Sequence, residues 1–341
     1  MVALNRRTLL GSAAGLAAAG IARPAFAADR LSVRLDWLTW GVHAPFHLAA
    51  AKGWFTRHGL DVSLEDGNGS VTTVQLVSNG QFDIGHCAQG PMMMARSKGA
   101  PVKAVASFMR TNDIGLMMPK QLGITTIPQL KGKKLAYTAG SLEAPFIDRF
   151  LAAGGLTRSD IELIGVDGAA KPGVVISGRV DGVFSAIPNL LPTIDAQKPA
   201  MALRFSDYGL KFPSFGLIAT EKTMAEKADA AKRFVSVVAG AWTYIFNGHE
   251  EEGAQAILNA RPQAKLPLAL MRSQLDLIKT FFETEATKGM MLGMMALPDW
   301  EAGVKTLTEA NLLETPQPAA NYFSNALLDQ GIVNAVAHSG A

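Results

Sequence analysis

Cysteine is almost missing from this chain, since Cys87 is the single one among 341 residues. One cysteine excludes a disulfide framework and every cysteine-rich zinc module. The sequence also contains no G-x-x-x-x-G-K-[ST] loop and no G-x-S-x-G turn. Gly67-x-Gly69 lacks the third glycine of a dinucleotide fingerprint. No signature of a P-loop NTPase, an α/β-hydrolase or a dinucleotide-binding enzyme is therefore present.

Net charge is low and is confined to the N-terminus. The formal charge is +3, and residues 1–27 hold Arg6, Arg7 and Arg23 without any acidic residue. Residues 28–341 are therefore neutral, which gives no electrostatic reason to expect a nucleic-acid partner. With 48% hydrophobic and 18% charged residues, the chain has an ordinary globular composition and is not disordered.

Residues 1–27 have the pattern of an export signal. Asn5-Arg6-Arg7-Thr8-Leu9-Leu10 opens an apolar run to Ala22, and Ala25-Phe26-Ala27 supplies small residues for a signal peptidase. The run is shorter than the ~20 residues that span a bilayer, so a membrane anchor is the weaker alternative. Paired arginines indicate a signal of the twin-arginine type. We expect signal peptidase and the twin-arginine translocon as partners, and a soluble periplasmic product.

The rest of the chain alternates predicted strands and helices. The first run has strands at 31–37, 60–64, 82–86 and 102–109, with helices at 43–58, 71–78 and 92–98. A second run from Ile114 has strands at 134–138, 162–166, 182–185, 202–205 and 214–220, with helices at 142–153, 173–178 and 189–196. From Glu221 onward the pattern is helical. This organisation predicts an α/β fold of two lobes, each with a mostly parallel sheet, and a helical C-terminal part.

Polar and aromatic residues follow the predicted strands, where open α/β sheets bind ligands. Gly69-Ser70 and Gly140-Ser141 both enter helices, so each serine could cap its helix or hold a polar ligand atom. Glu143 favours an amine-bearing ligand, and Trp37 could stack on a flat ring. Plain helix capping and core packing are the alternatives. The candidate ligand-binding residues are Trp37, Trp40, His43, Phe46, Asn68, Ser70, Gln89, Arg110, Asn112, Ser141, Glu143 and Asn189.

Histidines offer a second hypothesis, a metal site. His43 and His47 are spaced i, i+4, and His86 ends the third predicted strand beside Cys87. These residues could serve a periplasmic metal-dependent enzyme or a metal chaperone. Alternatively, His47 packs along its helix and Cys87 is a small core residue.

One series of motifs carries a family resemblance. The series is Leu35-Asp36-Trp37, His43-Ala44-Pro45-Phe46, Ala51-Lys52-Gly53-Trp54-Phe55, His58-Gly59-Leu60-Asp61-Val62, Gly67-x-Gly69-Ser70, Gln75-Leu76-Val77 and Asp83-Ile84-Gly85. It resembles the solute-binding proteins of ABC importers for nitrate, sulfonates, taurine and thiamine pyrimidine precursors. The resemblance covers about residues 31–245. The Asp-Trp, His-Ala-Pro-Phe and Gly-x-Gly-Ser stretches are most similar to the thiamine-precursor branch.

The resemblance implies the type II periplasmic binding protein fold, with a ligand cleft between the lobes. Lobe one would comprise 29–110 plus 209–341 and lobe two 111–208, with crossings near Arg110–Ile114 and Asp207–Pro213. The implied protein is a monomeric receptor that delivers a thiamine pyrimidine precursor or similar heterocycle to an ABC permease and its ATPase. It is not an enzyme and needs no cofactor, because the homologous eukaryotic pyrimidine synthase depends on a cysteine-rich segment that is missing here. The alternative ligand is an anion (a sulfonate such as taurine, nitrate or an aromatic acid), with Arg110 as its counter-charge.

Overall fold

The computed structural model describes residues 28–339, so the predicted signal at 1–27 lies outside the described residues. Ten strands, numbered in chain order, form two five-stranded sheets. The first sheet has the order β2-β1-β3-β10-β4, with β1 Asp29–Arg34, β2 Leu60–Glu65, β3 Ile84–Ala88, β4 Val102–Ser107 and β10 Phe215–Thr220. The second has the order β7-β6-β8-β5-β9, with β5 Ile114–Pro119, β6 Lys134–Tyr137, β7 Glu162–Gly165, β8 Gly182–Ala186 and β9 Ala200–Arg204.

Each sheet has one reversed strand. In the first sheet β1 pairs in parallel with β2 and β3, whereas β10 pairs antiparallel with β3 and β4. In the second, β6 pairs in parallel with β7 and β8, whereas β5 pairs antiparallel with β8 and β9. The reversed strands β5 and β10 are the ones the chain enters directly after passing from one sheet to the other. We use lobe one for the first sheet with its helices and lobe two for the second.

Thirteen α-helices of the described chain cover these sheets. They are α1 Ala44–Ala51, α2 Trp54–Arg57, α3 Ser70–Ser78, α4 Gln89–Ser97, α5 Ile147–Ala153, α6 Lys171–Ile176, α7 Ile187–Asp195, α8 Glu221–Glu226, α9 Ala228–Phe246, α10 Glu250–Ala260, α11 Leu268–Lys279, α12 Leu297–Glu309 and α13 Gln330–Ala337. The helical C-terminal part is as predicted. Among residues 28–339, none of the helices combines the length and apolar character that crossing a membrane requires.

Two local predictions were wrong in ways that matter for the site. The single helix predicted over 43–58 is two helices, because Gly53 adopts φ +66° between α1 and α2. The first strand ends at Arg34 instead of residue 37, since its pairing with β2 stops at Arg34 and Glu65. Asp36 and Trp37 therefore lie in the loop beyond the strand, where side chains can reach the other lobe.

Candidate functional site

The two lobes meet at the carboxyl ends of their parallel strands. The Val71 amide, at the start of α3 in lobe one, donates to the Gly140 carbonyl of lobe two at 3.2 Å. The Gln274 amide of α11 donates to the Asn189 carbonyl of α7 at 2.7 Å. The lobes are thus closed on each other, and the helix N-termini that follow the strands lie at their contact. Open α/β sheets bind ligands at this edge.

Trp37 is an aromatic residue that bridges the lobes. Its side chain is half-buried, and the Lys171 ammonium lies 5.2 Å from its ring centroid. A Cβ atom added at Gly168 would lie 2.1 Å from Trp37 Cζ2, so the indole fits only because glycine stands there. A cation over an indole face is attractive. Trp37 therefore forms a wall that both lobes contact.

Glu143 is a fully buried carboxylate beside this wall. Its Oε1 accepts from the Lys171 ammonium at 2.7 Å and from the Thr138 amide at 3.4 Å. Lys171 is only 2% exposed. Oε2 of Glu143 has no hydrogen-bond partner among residues 28–339. A buried acceptor without a donor is costly, so Glu143 is prepared to accept a hydrogen bond from something else.

Asp113 supplies a second acceptor of this kind. It lies where the chain passes from β4 to β5, and its carboxyl Oδ1 accepts from the Ser214 hydroxyl on the returning segment. Its Oδ2 has no partner in the described part of the chain. Burial, followed by repulsion from Asp36 and Glu143, raises the pKa of Asp113 to about 7. The ionisation of Asp113 thus depends on one carboxylate from each lobe, Asp36 and Glu143.

The Gln89 amide is a third polar group without partners. Gln89 begins α4 and is fully buried, and its backbone amide donates to the Ser214 carbonyl at 2.8 Å. Neither its side-chain oxygen nor its nitrogen is hydrogen-bonded within residues 28–339. A Cβ at Gly216 would lie 2.4 Å from this side-chain nitrogen. Ser214 therefore connects Gln89 of lobe one to Asp113 at the crossing.

Three other predicted site residues, Ser70, Ser141 and Asn112, form hydrogen bonds with backbone groups of the protein. Ser70 Oγ accepts from the Ala88 amide at 3.1 Å, and Ser141 Oγ donates to the Thr138 carbonyl at 2.6 Å. Asn112 Nδ2 donates to the Leu210 carbonyl at 2.7 Å, which ties the two crossing segments together. Asn189 is half-buried in α7, and Asn68 is exposed.

Three predicted residues lie inside lobe one, and their expected roles need correction. Phe46 is fully buried and stacks on Phe234 of α9 at 6.4 Å between ring centroids. Trp40 packs edge-on against Phe215 at 5.3 Å. Arg110 donates to the carbonyls of Phe282, Met291 and Met294 at 2.9–3.2 Å. The Arg110 guanidinium, which the sequence analysis expects to face an anion, is thus already hydrogen-bonded to the backbone.

The histidine hypothesis also needs correction. His43 Nε2 and His86 Nδ1 lie 2.9 and 2.8 Å from Asp36 Oδ1, and Trp40 Nε1 donates to Asp36 Oδ2 at 3.3 Å. Burial alone would raise the pKa of Asp36, but these imidazole contacts hold it well below its usual range. His47 lies outside the cluster, where burial lowers its pKa to about 3. The set that converges is thus Asp36, His43 and His86.

Asp36, Asp113 and Lys171 were missed as site residues from the sequence. Asp36 was noted only within the Asp-Trp motif. Lys171 begins α6, a few residues after the predicted strand at 162–166. Its position beyond a strand end is therefore a signal from which it could be predicted as a site residue. Asp113 carries no local signal, because its burial depends on Ser214, about 100 residues later.

Comparisons with known proteins show which family and which relatives this chain resembles. The model of the NMT1/THI5-like family matches residues 40–252. A putative thiamine biosynthesis protein of Haemophilus influenzae is 26% identical over 242 residues, covering 70% of this chain and 76% of that protein. A formylaminopyrimidine-binding protein of Halalkalibacterium halodurans is 25% identical over 308 residues, covering 88% and 91%.

The solved structures give the fold. The alkanesulfonate-binding protein of Xanthomonas axonopodis pv. citri superposes with a TM-score of 0.67 at 16% identity, covering 86% of this chain and 98% of its own. The periplasmic binding protein fold predicted from the sequence is therefore confirmed, and so is the family resemblance. The chain belongs to the NMT1/THI5-like family.

Proposed function

We propose that the protein is the periplasmic solute receptor of an ABC importer, which closes its two lobes on a thiamine pyrimidine precursor or a similar amino-heterocycle. It would be exported by its N-terminal signal and would act as a monomer, passing the ligand to the permease and its ATPase. The observation that carries the proposal is the set of buried, unpartnered polar atoms on Gln89, Asp113 and Glu143. Closure of such a receptor around its ligand is a hinge motion.

These atoms favour a ligand that donates hydrogen bonds. Glu143 Oε2 is an acceptor, Asp113 Oδ2 accepts when ionised and donates when protonated, and Gln89 offers both a donor and an acceptor. An aminopyrimidine has exocyclic N–H donors and ring nitrogens that match this set. Its flat ring suits the Trp37 wall. The names of the thiamine and formylaminopyrimidine relatives agree with this ligand class.

An anionic ligand is the second candidate, and the contacts count against it. Arg110 is engaged by three backbone carbonyls, and Lys171 is neutralised by Glu143. A sulfonate or nitrate would therefore meet Asp113 and Glu143 where Arg110 and Lys171 are both already engaged. Placing an anion among buried carboxylates costs much more than it does in water.

A calorimetric titration with 4-amino-2-methylpyrimidines, including the 5-hydroxymethyl and 5-formylaminomethyl compounds, tests the proposal. Glu143→Gln should weaken binding roughly tenfold to a hundredfold, because a hydrogen bond to a charged group contributes about 1.5–3 kcal/mol. The matched control is Glu162→Gln, which alters an exposed glutamate of the same lobe. Binding of taurine or nitrate instead of the pyrimidines would refute the ligand class. Equal pyrimidine affinity in both variants would refute the role of Glu143.

A further inference from the structure

We propose that Asp36, His43 and His86 bind a divalent transition-metal ion inside lobe one, as a resident structural ion and not as transported cargo. The site lies directly behind the loop that carries Trp37. It is separate from the ligand contacts of Glu143 and Asp113. The inference therefore stands or fails independently of the transported ligand.

The ligand atoms already have the spacing of a coordination shell. Asp36 Oδ1 lies 2.9 Å from His43 Nε2 and 2.8 Å from His86 Nδ1. All three ligand atoms lie within 4.8 Å of one another. Metal–nitrogen and metal–oxygen bonds are about 2.1 Å, so neighbouring ligands at right angles around one ion lie about 3.0 Å apart. The two imidazole–carboxylate distances therefore match those between neighbouring ligands of one ion.

The donor set indicates the class of metal. Two imidazoles and one carboxylate suit zinc, cobalt, nickel or similar first-row divalent ions, whereas calcium and magnesium prefer all-oxygen sites. The imidazole ring centroids lie 6.0 Å apart with their planes 83° apart, so the two rings reach Asp36 from different directions.

The surroundings hold the ligands in place. Trp40 Nε1 donates to Asp36 Oδ2, the kind of outer contact that orients a ligating carboxylate. His86 stacks on Phe215 of β10 at 5.4 Å between centroids, and its ring meets Phe46 edge-on at 5.2 Å. The apolar rings exclude water, which strengthens the attraction between a cation and the buried carboxylate.

Charge balance provides an independent argument. Asp36, Asp113 and Glu143 are all buried, and Asp113 lies close enough to the other two carboxylates to be repelled by both. Lys171 is the cation paired with Glu143, and the Arg110 guanidinium is engaged by carbonyls. A divalent ion at Asp36 would add positive charge beside these buried carboxylates. It would also tie together the loop after β1, the residue that precedes α1 and the strand β3, and so fix the loop that presents Trp37.

The test uses the full chain expressed with residues 1–27 attached, purified without chelator and analysed for metals by mass spectrometry. We expect about one equivalent of a first-row divalent metal per chain. The His86→Gln variant should lose it. The His47→Gln variant, which removes a buried histidine outside the set, should keep it. No stoichiometric metal in the wild type, or equal metal in both variants, would overturn the proposal.

A second measurement covers the case in which His86→Gln does not fold. Wild-type protein is unfolded in chelator and refolded with one equivalent of Co²⁺ or with none. Cobalt should give a visible absorption band and raise the unfolding midpoint by roughly 5 °C. A colourless protein with an unchanged midpoint would show that the three residues form a hydrogen-bond network only.

Discussion

Gly69 of lobe one and Gly140 of lobe two meet backbone to backbone. A Cβ atom added at Gly69 would lie 2.2 Å from the Gly140 carbonyl oxygen, well inside van der Waals contact. Gly69 also has φ +143° and Gly140 φ +74°, both in the region that favours glycine. The two glycine-serine turns identified in the sequence thus form one of the contacts through which the lobes close.

Gly69→Ala should therefore block closure while both lobes remain folded. The added methyl group clashes with the opposite lobe only in the closed form, so we expect pyrimidine affinity to fall at least tenfold, about 1.4 kcal/mol. Gly80→Ala is the control, because Gly80 has φ +73° but open space around its Cβ position. Small-angle scattering with and without ligand measures closure. Ligand-induced compaction equal to that of the wild type in Gly69→Ala would contradict the assignment.

Trp37→Ala should weaken binding and leave the fold intact. Aromatic stacking contributes about 0.5–1.5 kcal/mol beyond the area buried, so a loss of tenfold or more in affinity is expected. Trp54→Ala provides the contrast, since Trp54 is buried in the core and its loss should cost about 3–5 kcal/mol of stability. Calorimetry and chemical denaturation separate the two effects. If Trp37→Ala destabilises the protein as much as Trp54→Ala does, Trp37 is a packing residue and the proposed wall is wrong.

Arg110→Ala should lower stability without changing ligand preference. Removing a buried guanidinium leaves three carbonyls without their donor, which should cost about 2–4 kcal/mol of unfolding free energy. Arg149→Ala, on an exposed part of α5, should change little. Urea unfolding measures the stability, and a taurine and nitrate titration measures the preference. A stable Arg110→Ala variant that loses affinity for an anion would restore Arg110 as a counter-charge.

Asp113 gives a pH dependence with a defined sign. Its pKa is about 7 in the folded protein, against about 3.9 for an unfolded aspartate, so the folded state holds the extra proton between these values. Its contribution to stability is complete below about pH 4 and is lost as the pH rises to about 7. The limiting slope is about 1.4 kcal/mol per pH unit.

The difference in unfolding free energy between wild type and Asp113→Asn isolates this effect from the titration of buried histidines. That difference should fall as the pH rises from 4.5 to 7 and should be flat above pH 8. Exposed Asp61 provides the control substitution, Asp61→Asn, for which no such trend is expected. A difference that stays constant over the whole range would show that Asp113 is ionised when folded.

Local patterns in the sequence predict most of the fold. Apolar alternation and turn residues give nine of the ten strands, and the motif series gives the two-lobed arrangement. β5 is the strand that is not predicted, because the pattern indicates only that a second run begins at Ile114. The reversed directions of β5 and β10 could not be read from the sequence, because strand direction depends on how the chain crosses between lobes. Gly53 shows the other limit, since a glycine within a helical pattern is often tolerated, and only the structure shows that its left-handed φ separates α1 from α2.

In the candidate site, some residues can be predicted from their position after a strand, and others depend on packing that the sequence does not show. Trp37, Gln89 and Glu143 were named from strand-end position, and that reasoning needs only the sheet edge. Phe46 and Trp40 look equally suitable in sequence, but their side chains point into lobe one, and only packing against α9 and β10 decides this. Asp113 is a site residue through a contact with Ser214, which no local pattern can reveal.

Thermal unfolding of the chain without residues 1–27 against a ligand panel tests the central claim most directly. The panel holds aminopyrimidines, taurine, nitrate, aromatic acids and divalent metals. A ligand at 100 times its dissociation constant adds about 2.7 kcal/mol, which corresponds to a shift of roughly 5 °C in a chain of this size. The account predicts such a shift with the aminopyrimidines and none with the anions. A shift with taurine or nitrate and none with any pyrimidine would contradict it.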